Sequence, residues 1–244
     1  PARNAALAIC VRTMSSPPAA GVVGSVLMER DTKAALHAVA SIAARHRART
    51  PVSRDWPPLW VMTDETAQGP ATDLAHLVPA GSILCLRDYD HPDRATLAGD
   101  LARICRTRSV RLLIGGDVDL ALVVNAFGVH VPEGLWPERR GQIRKAQAGG
   151  LRVTTAVHSS VAARAVISGP LVADAVTLSP VFETKSHPGA HTLGPLGLSK
   201  LLREVAPLPA YALGGIHTGN ARRAMACAGS WPNLVGVAGI RFQP

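Results

Sequence analysis

From Leu59 onward, short runs of Val, Ile, Leu and Ala alternate with longer segments whose apolar residues recur at helical spacing. The apolar runs predict strands at Leu59–Met62, Ile83–Leu86, Arg111–Ile114, Gly128–Val131, Val153–Ala156, Ala175–Leu178, Ala210–Leu213 and Gly236–Ala238. The segments between them predict helices at Asp73–Val78, Pro92–Thr107, Asp117–Val124, Glu138–Ala148, Val161–Ser168, Ser199–Val205 and Gly219–Ala226. Strands alternating with helical crossovers in this number predict one closed (β/α)8 TIM barrel over residues 58–244, not an open sheet.

Upstream of the barrel the pattern changes twice. Residues 1–27 are rich in Ala, Pro, Ser and Gly and carry no usable period, which predicts a disordered tail through about residue 30. Asp31–Arg49 carries Ala35, Leu36, Val39, Ile42 and Ala43 near helical spacing, with acid early and Arg45, Arg47 and Arg49 late, as the helix dipole favours. Pro51, Pro57 and Pro58 then end this N-terminal helix and its linker, residues 31–57. Few residues follow the eighth strand, and a parallel sheet needs cover on both faces. The 31–49 helix is therefore expected to pack over the barrel near its first or last strand.

Charge modifies the picture only slightly. Of the net +9, +5 lies in residues 1–55, so the barrel itself is nearly ordinary. Aromatic residues make up 4% of the chain and form no basic–aromatic stripe, which argues against nucleic acid as a partner. No apolar run approaches a membrane span, and Cys10, Cys85, Cys105 and Cys227 show no metal-ligand spacing. The expectation is a cytoplasmic protein that acts on small phosphorylated substrates.

In such barrels the active site lies at the C-terminal ends of the strands. That rule selects Asp64, then Arg87 and Tyr89, then Gly115, Gly116 and Asp117, then His130 and Glu133, then Thr155 and His158. After the sixth strand come Thr184, Lys185, Ser186 and His187, after the seventh Gly214 and Gly215, and after the eighth Gly239, Ile240 and Arg241. The last two loops are the usual phosphate seat of a barrel, where glycine lets the backbone approach phosphate oxygens. Thr184 and Ser186 can donate to a phosphate and Lys185 can neutralise it. His158 follows a strand and precedes a helix, which suits proton transfer. His130, set among valines, reads equally as a core histidine. Asp64 reads equally as a helix cap or loop tie, and Asp117 has N-cap character for the next helix.

In order along the chain, Leu59-Trp60-Val61-Met62-Thr63-Asp64, Gly128-Val129-His130-Val131, Val157-His158-Ser159, Ser179-Pro180-Val181-Phe182-Glu183-Thr184 and Ala212-Leu213-Gly214-Gly215-Ile216 resemble the thiamine-phosphate synthase family, which includes a thiazole tautomerase branch. The resemblance implies joining a hydroxymethylpyrimidine diphosphate to a thiazole phosphate, with Mg²⁺-assisted release of pyrophosphate. It also implies that Arg87 and His158 are catalytic and that His158 is the acid–base of a tautomerase. The family's Gln and Lys around Arg87 fall on Cys85 and Tyr89. Its Asn-Asp pair falls on Gly115 and Gly116, and its Ser before the strand-five His falls on Ala156. Asp117 and Glu133 are the nearest substitutes for the family's metal-binding carboxylates. The thiazole-phosphate half thus follows the family and the diphosphate–metal half departs from it. Three readings stay open: a Mg²⁺-dependent synthase, a tautomerase that needs no cofactor, and a non-catalytic binder of thiazole phosphate or thiamine phosphate.

Overall fold

The computed structural model describes residues 20–47, 55–136, 138–169, 171, 173–184, 189 and 191–244, with side chains from residue 28 onward. Its strands are β1 (Leu59–Met62), β2 (Ile83–Leu86), β3 (Arg111–Gly115), β4 (Gly128–Val131), β5 (Arg152–Val157), β6 (Ala175–Leu178), β7 (Ala210–Leu213) and β8 (Leu234–Gly239). They pair in parallel, each with the next, and β8 closes on β1. The helices are α1 (Ala20–His46), α2 (Glu65–Gln68), α3 (Ala71–Leu77), α4 (Arg94–Thr107), α5 (Val118–Val123), α6 (Arg140–Ala148), α7 (Ser160–Ser168), α8 (Gly194–Val205) and α9 (Ala221–Met225). This is the expected TIM barrel.

Strand register explains the apolar runs. Side chains alternate between two buried layers, so both parities must be apolar. One parity fills the barrel with Trp60, Met62, Ile83, Cys85, Leu113, Tyr211 and Ala238. The other, including Leu59, Val61, Leu84, Val129, Val131 and Val153, meets the helices. Trp56 plugs the N-terminal mouth, edge-on to Phe127 at 5.7 Å and to Tyr211 at 6.4 Å. The Tyr211 hydroxyl donates to the Pro57 carbonyl at 2.6 Å and fixes that plug.

Among the element boundaries that differ from the sequence pattern, two larger shifts have traceable reasons. β8 starts at Leu234, two residues before the expected Gly236. A Cβ at Gly236 would lie 2.2 Å from the Pro58 carbonyl oxygen, so this glycine marks close approach of the chain entering β1, not a strand end. α8 starts at Gly194, five residues before the expected Ser199. Gly194 and Gly197 weaken the local propensity, but Pro195 occupies the first turn, where its missing N–H costs nothing.

The N-terminal helix is longer than expected. α1 begins at Ala20, so residues 20–30 are helical where the sequence predicted a disordered tail. Residues 20–26, Ala-Gly-Val-Val-Gly-Ser-Val, are poor helix formers and carry no apolar period; their helix extends the one begun over 31–46, and adding turns to an existing helix is far easier than nucleating one. Residues 1–19, and the 48–49 end of the predicted helix, lie outside the described residues. Ala35, Leu36, Val39 and Ala43 form the buried stripe of α1. It packs on β1, β8, α3 and α9, covering the seam where the barrel closes. Gln243 donates to the Thr32 hydroxyl at 2.8 Å and ties the end of the chain to the same helix.

Candidate active site

The C-terminal ends of the strands carry two differently built regions. In the first, β6 and β7 continue past their ends as paired backbone. Val181 N–H donates to the Leu213 carbonyl at 2.8 Å and Phe182 N–H to that of Gly214 at 3.0 Å. Gly214 and Gly215 take φ of 96° and 63°, in the left-handed region. A Cβ on Gly214 would meet Pro180 Cα at 2.8 Å, and one on Gly215 would meet the Glu183 carbonyl oxygen at 2.2 Å. Only glycine fits this approach. Asn220 Nδ2 caps the Gly215 carbonyl at 2.8 Å, and the Arg223 guanidinium stacks on the Phe182 ring at 4.6 Å.

β8 adds Gly239, Ile240 and Arg241 beside these loops. The Phe242 ring lies 3.0 Å from where a Gly239 Cβ would stand. Gln68 donates to the Ile240 carbonyl and accepts from Asp64 N–H at 2.9 Å, joining the β1 and β8 loops. Arg241 is exposed and Thr184 half-buried beside this region. Lys185, Ser186 and His187 lie outside the described residues.

The second region, after β2 to β4, is a cleft of about 460 Å³ lined among others by Tyr89, Arg94, Gly115, Gly116, Asp117 and Arg139. Tyr89 lies over the paired glycines. A Cβ on Gly115 would meet the Leu86 carbonyl oxygen at 2.8 Å and the Tyr89 ring and hydroxyl at 3.1 and 3.2 Å, and one on Gly116 would touch the Tyr89 ring at an ordinary 3.4 Å. Gly115 is thus closed by backbone and by the tyrosine together, and Gly116 lies in contact with the tyrosine alone. Arg94 holds the loops from below, donating to the Asp88 carbonyl at 3.1 Å and the Gly115 carbonyl at 2.7 Å. Arg139 donates to the Gly116 carbonyl. Burial raises the Tyr89 phenol above its usual range, and the Arg87 guanidinium, near enough to share a hydrogen bond, opposes that shift.

Between the regions stand the two histidines. His130 faces the barrel interior, edge-on to Trp60 at 5.1 Å. The Thr154 hydroxyl donates to the Val129 carbonyl at 3.2 Å, so His130 Nδ1, at 3.0 Å, carries the hydrogen of the Thr154–His130 bond. Burial, aided by the Arg87 and His158 charges, pushes the ring down to about 3, so it is neutral at pH 7. His158 is about half exposed at the mouth. Its Nδ1 lies 3.0 Å from both the carbonyl oxygen and the hydroxyl of Ser179. Its backbone N–H donates to Glu133 Oε2 at 2.6 Å, and that oxygen is 3.9 Å from His158 Nε2.

Several sequence expectations change here. Thr155 is not a pocket residue: it shares the outward parity of Val153 and Val157, and its hydroxyl donates to the Val131 carbonyl at 2.8 Å. Its neighbour Thr154 faces inward, as the register with His130 requires. Asp64 is a helix cap, accepting from Ala67 N–H at 3.2 Å and from the Thr66 hydroxyl at 2.6 Å. Asp117 caps α5 by accepting from Leu120 N–H at 2.9 Å, and its other oxygen faces Arg94 at 3.8 Å. Glu133 is committed to His158. Asp88 accepts from Glu65 N–H at 2.9 Å and keeps one buried oxygen without a partner. Among the described residues no group of three or more His, Cys, Asp or Glu side chains stands together as a metal site. The expected ligands, Asp117 and Glu133, are spent on a cap, an arginine and a backbone amide, so the donor set does not fit a Mg²⁺ ion.

Arg94, Arg139 and Gln68 are functional neighbours that sequence reasoning did not weigh as site residues, whereas the strand-end rule does select Ser179. Arg94 and Arg139 stand at the starts of helices, beside loop residues that had been selected. Ser179, inward by the same alternation as Thr177, was legible from β6 itself.

A family model described as thiamine monophosphate synthase matches residues 61–240. A thiamine-phosphate synthase of Methanoculleus marisnigri is 37% identical over 66% of this chain and 78% of its own length. One of Geobacillus thermodenitrificans is 28% identical over 67% and 75%. Among solved structures, thiamine phosphate pyrophosphorylase from Pyrococcus furiosus superposes with a TM-score of 0.59 at 25% identity, covering 75% of this chain and 85% of that one. FabK from Thermotoga maritima, with a TM-score of 0.60 at 20% identity over 79% and 61%, shares the fold alone.

Proposed function

The chain belongs to the thiamine monophosphate synthase family, and from that premise we propose that it is a thiamine-phosphate synthase-type transferase. It joins a hydroxymethylpyrimidine diphosphate to a thiazole phosphate. The bond from the pyrimidine methylene to the diphosphate oxygen breaks, its electron pair leaving with pyrophosphate. The thiazole nitrogen lone pair then forms the new C–N bond. The observation that carries this reading is the backbone-built glycine seat of β6–β8, to which the thiazole phosphate is assigned, with Thr184, Gly239, Ile240 and Arg241 beside it; Lys185, Ser186 and His187 follow Thr184 in sequence and are the proposed side-chain donors to that phosphate. Arg87 and Arg139 face the leaving diphosphate from the opposite region and offset its charge. The Thr177 hydroxyl, buried without a partner in the barrel wall, is available to a bound ring. No step is routed through a metal, because the carboxylates present do not make its seat. Incubation with both substrates tests this: pyrophosphate and thiamine phosphate should appear together, and release of neither at high enzyme concentration removes the reading.

A second reading, isomerisation of a thiazole phosphate, is favoured by one specific observation. Tyr89 occupies the diphosphate-side space over Gly115 and Gly116, while the proton-transfer group His158 stands in place between Ser179 and Glu133. This reaction needs the same phosphate seat and no diphosphate clamp. It predicts turnover of thiazole phosphate alone, lowered about a hundredfold or more, to a residual rate that can still be measured, in His158→Gln.

A further inference from the structure

We propose that Glu133 is the positioning residue for His158 and that, with Ser179, it leaves Nε2 as the nitrogen that takes up and returns the substrate proton; the inference rests on the isomerisation reading. Glu133 opens a single 3-10 turn, Glu133–Leu135, directly after β4. Trp136 N–H donates back to its carbonyl at 3.1 Å and Leu135 N–H to that of Pro132 at 3.0 Å, so the residue is held at a fixed place on the rim. From there one carboxylate oxygen meets His158 twice. It accepts the backbone N–H at 2.6 Å, and it lies 3.9 Å from Nε2 on the ring.

The other side of the ring decides which nitrogen is active. The Ser179 carbonyl oxygen can only accept, and it lies 3.0 Å from Nδ1; the Ser179 hydroxyl, also at 3.0 Å, can accept from the same N–H, whereas an unprotonated Nδ1 would set its lone pair against that carbonyl. Nδ1 therefore carries the hydrogen, and Nε2 holds the free lone pair. At 3.9 Å Glu133 is beyond hydrogen-bond range of Nε2, so that lone pair stays open to a substrate C–H. When a proton arrives there, the carboxylate faces the new positive charge. The step is a proton transfer in both directions: one ring proton moves from the thiazole phosphate to Nε2 and returns to a different ring atom. No electron is gained or lost. The β4 rim and the β6 end thus act on β5 from its two neighbouring strands.

A double-mutant cycle in the full chain tests the assignment. Glu133→Gln keeps an oxygen that can accept the His158 amide but removes the charge. Its kcat for isomerisation should fall about tenfold or more, with KM for the thiazole phosphate unchanged and thermal unfolding like wild type. In a His158→Gln background the same change should produce no further fall, because Glu133 acts through that ring. Glu133→Gln at the wild-type rate, or an equal fall in both backgrounds, overturns the proposal. Glu133→Asp, with the charge retained on a shorter arm, should recover part of the rate; recovery by alanine instead would also overturn it. If His158→Gln keeps the full rate, or the wild-type chain does not isomerise thiazole phosphate, the isomerisation reading itself fails, a result distinct from a silent Glu133.

Discussion

At Gly215 a Cβ would sit 2.2 Å from the Glu183 carbonyl oxygen, with Phe182 backbone and Cβ at 2.9 Å; at Gly116 the nearest atom is a Tyr89 ring carbon at 3.4 Å. Both glycines have positive φ, 63° and 69°. The β6–β8 region is thus closed by backbone and shaped before any ligand arrives. The β2–β4 region is mixed: backbone, the Leu86 carbonyl at 2.8 Å, closes on Gly115, but at Gly116 only the Tyr89 side chain stands near, and it can rotate away. A preformed seat binds its group with little ordering cost, whereas a side-chain-filled cleft can be remodelled by substitution or by a ligand. The family resemblance is strong where backbone makes the site and weak where side chains do.

The largest expected effect breaks this contrast most directly. Gly215→Ala adds both a left-handed φ penalty and a backbone collision, and should destabilise the chain by about 3–4 kcal/mol or abolish folding. Gly116→Ala adds only the φ penalty, about 1–2 kcal/mol, because Tyr89 stands at ordinary contact distance. Paired urea unfolding curves check this, and equal losses would show that the two loops are equally fixed.

Next in size, Arg94→Ala should cost about 2–3 kcal/mol. Its guanidinium, on a side chain only 14% exposed, serves the Asp88 and Gly115 carbonyls and faces Asp117. Arg223→Ala, which removes an exposed cation from the Phe182 ring, should cost about 1 kcal/mol or less. The same unfolding assay ranks them. The order would reverse if the β2–β4 loops were held by something other than Arg94.

The floor under both regions responds to pH. His130 is depressed to about 3 in the folded chain, against 6.5 for an ordinary imidazole. The unfolded state therefore binds the extra proton first. Its contribution to stability is complete above about pH 6.5 and is lost as pH falls toward 3, with a slope up to about 1.4 kcal/mol per pH unit. His130→Asn should flatten that slope in a pH series of unfolding curves. Arg87→Gln, removing a charge that lowers His130 from the β2 side, should raise the lower end of the acid limb and so shrink the total loss, by less than deletion of the imidazole does.

The barrel was legible because its strands are short apolar runs buried on both faces, and β1, β2, β4, β6 and β7 lie where those runs lie. Placing loops at strand ends selected Tyr89, Gly115, Gly116, His158, Gly214 and Gly215 without any side-chain geometry. The pattern carried the commitment of polar atoms only in part: it offered a cap for Asp64 and for Asp117, but not the His158 amide for Glu133. Asp64, Asp117 and Glu133 are all carboxylates after strands, yet two cap helices and one holds a neighbouring backbone amide. Those choices are made by atoms distant in sequence or by a free N–H at a helix start. Thr155 failed for a simpler reason: the strand-end rule places it at the mouth, but β5 runs on to Val157 and Thr155 shares the outward parity of Val153 and Val157.

The smallest effect sharpens the comparison at Asp117, where the two regions' chemistry was expected to meet a metal. As an N-cap, Asp117 needs only an oxygen that accepts the Leu120 N–H. Asparagine caps as well as aspartate, so Asp117→Asn should change stability by a few tenths of a kcal/mol, while Asp117→Ala should cost about 1 kcal/mol. The Asn variant also removes the carboxylate facing Arg94 at 3.8 Å, a pair whose acid is 45% exposed and which solvent screens. A metal ligand behaves differently, since an amide is a poor replacement for a carboxylate on Mg²⁺. Thermal unfolding of both variants, with and without millimolar Mg²⁺, separates the roles. A cap gives Asn close to wild type under both conditions. A Mg²⁺-dependent stabilisation of wild type that Asp117→Asn erases would place a metal in the β3 loop and make the two halves of the site more alike than their glycines suggest.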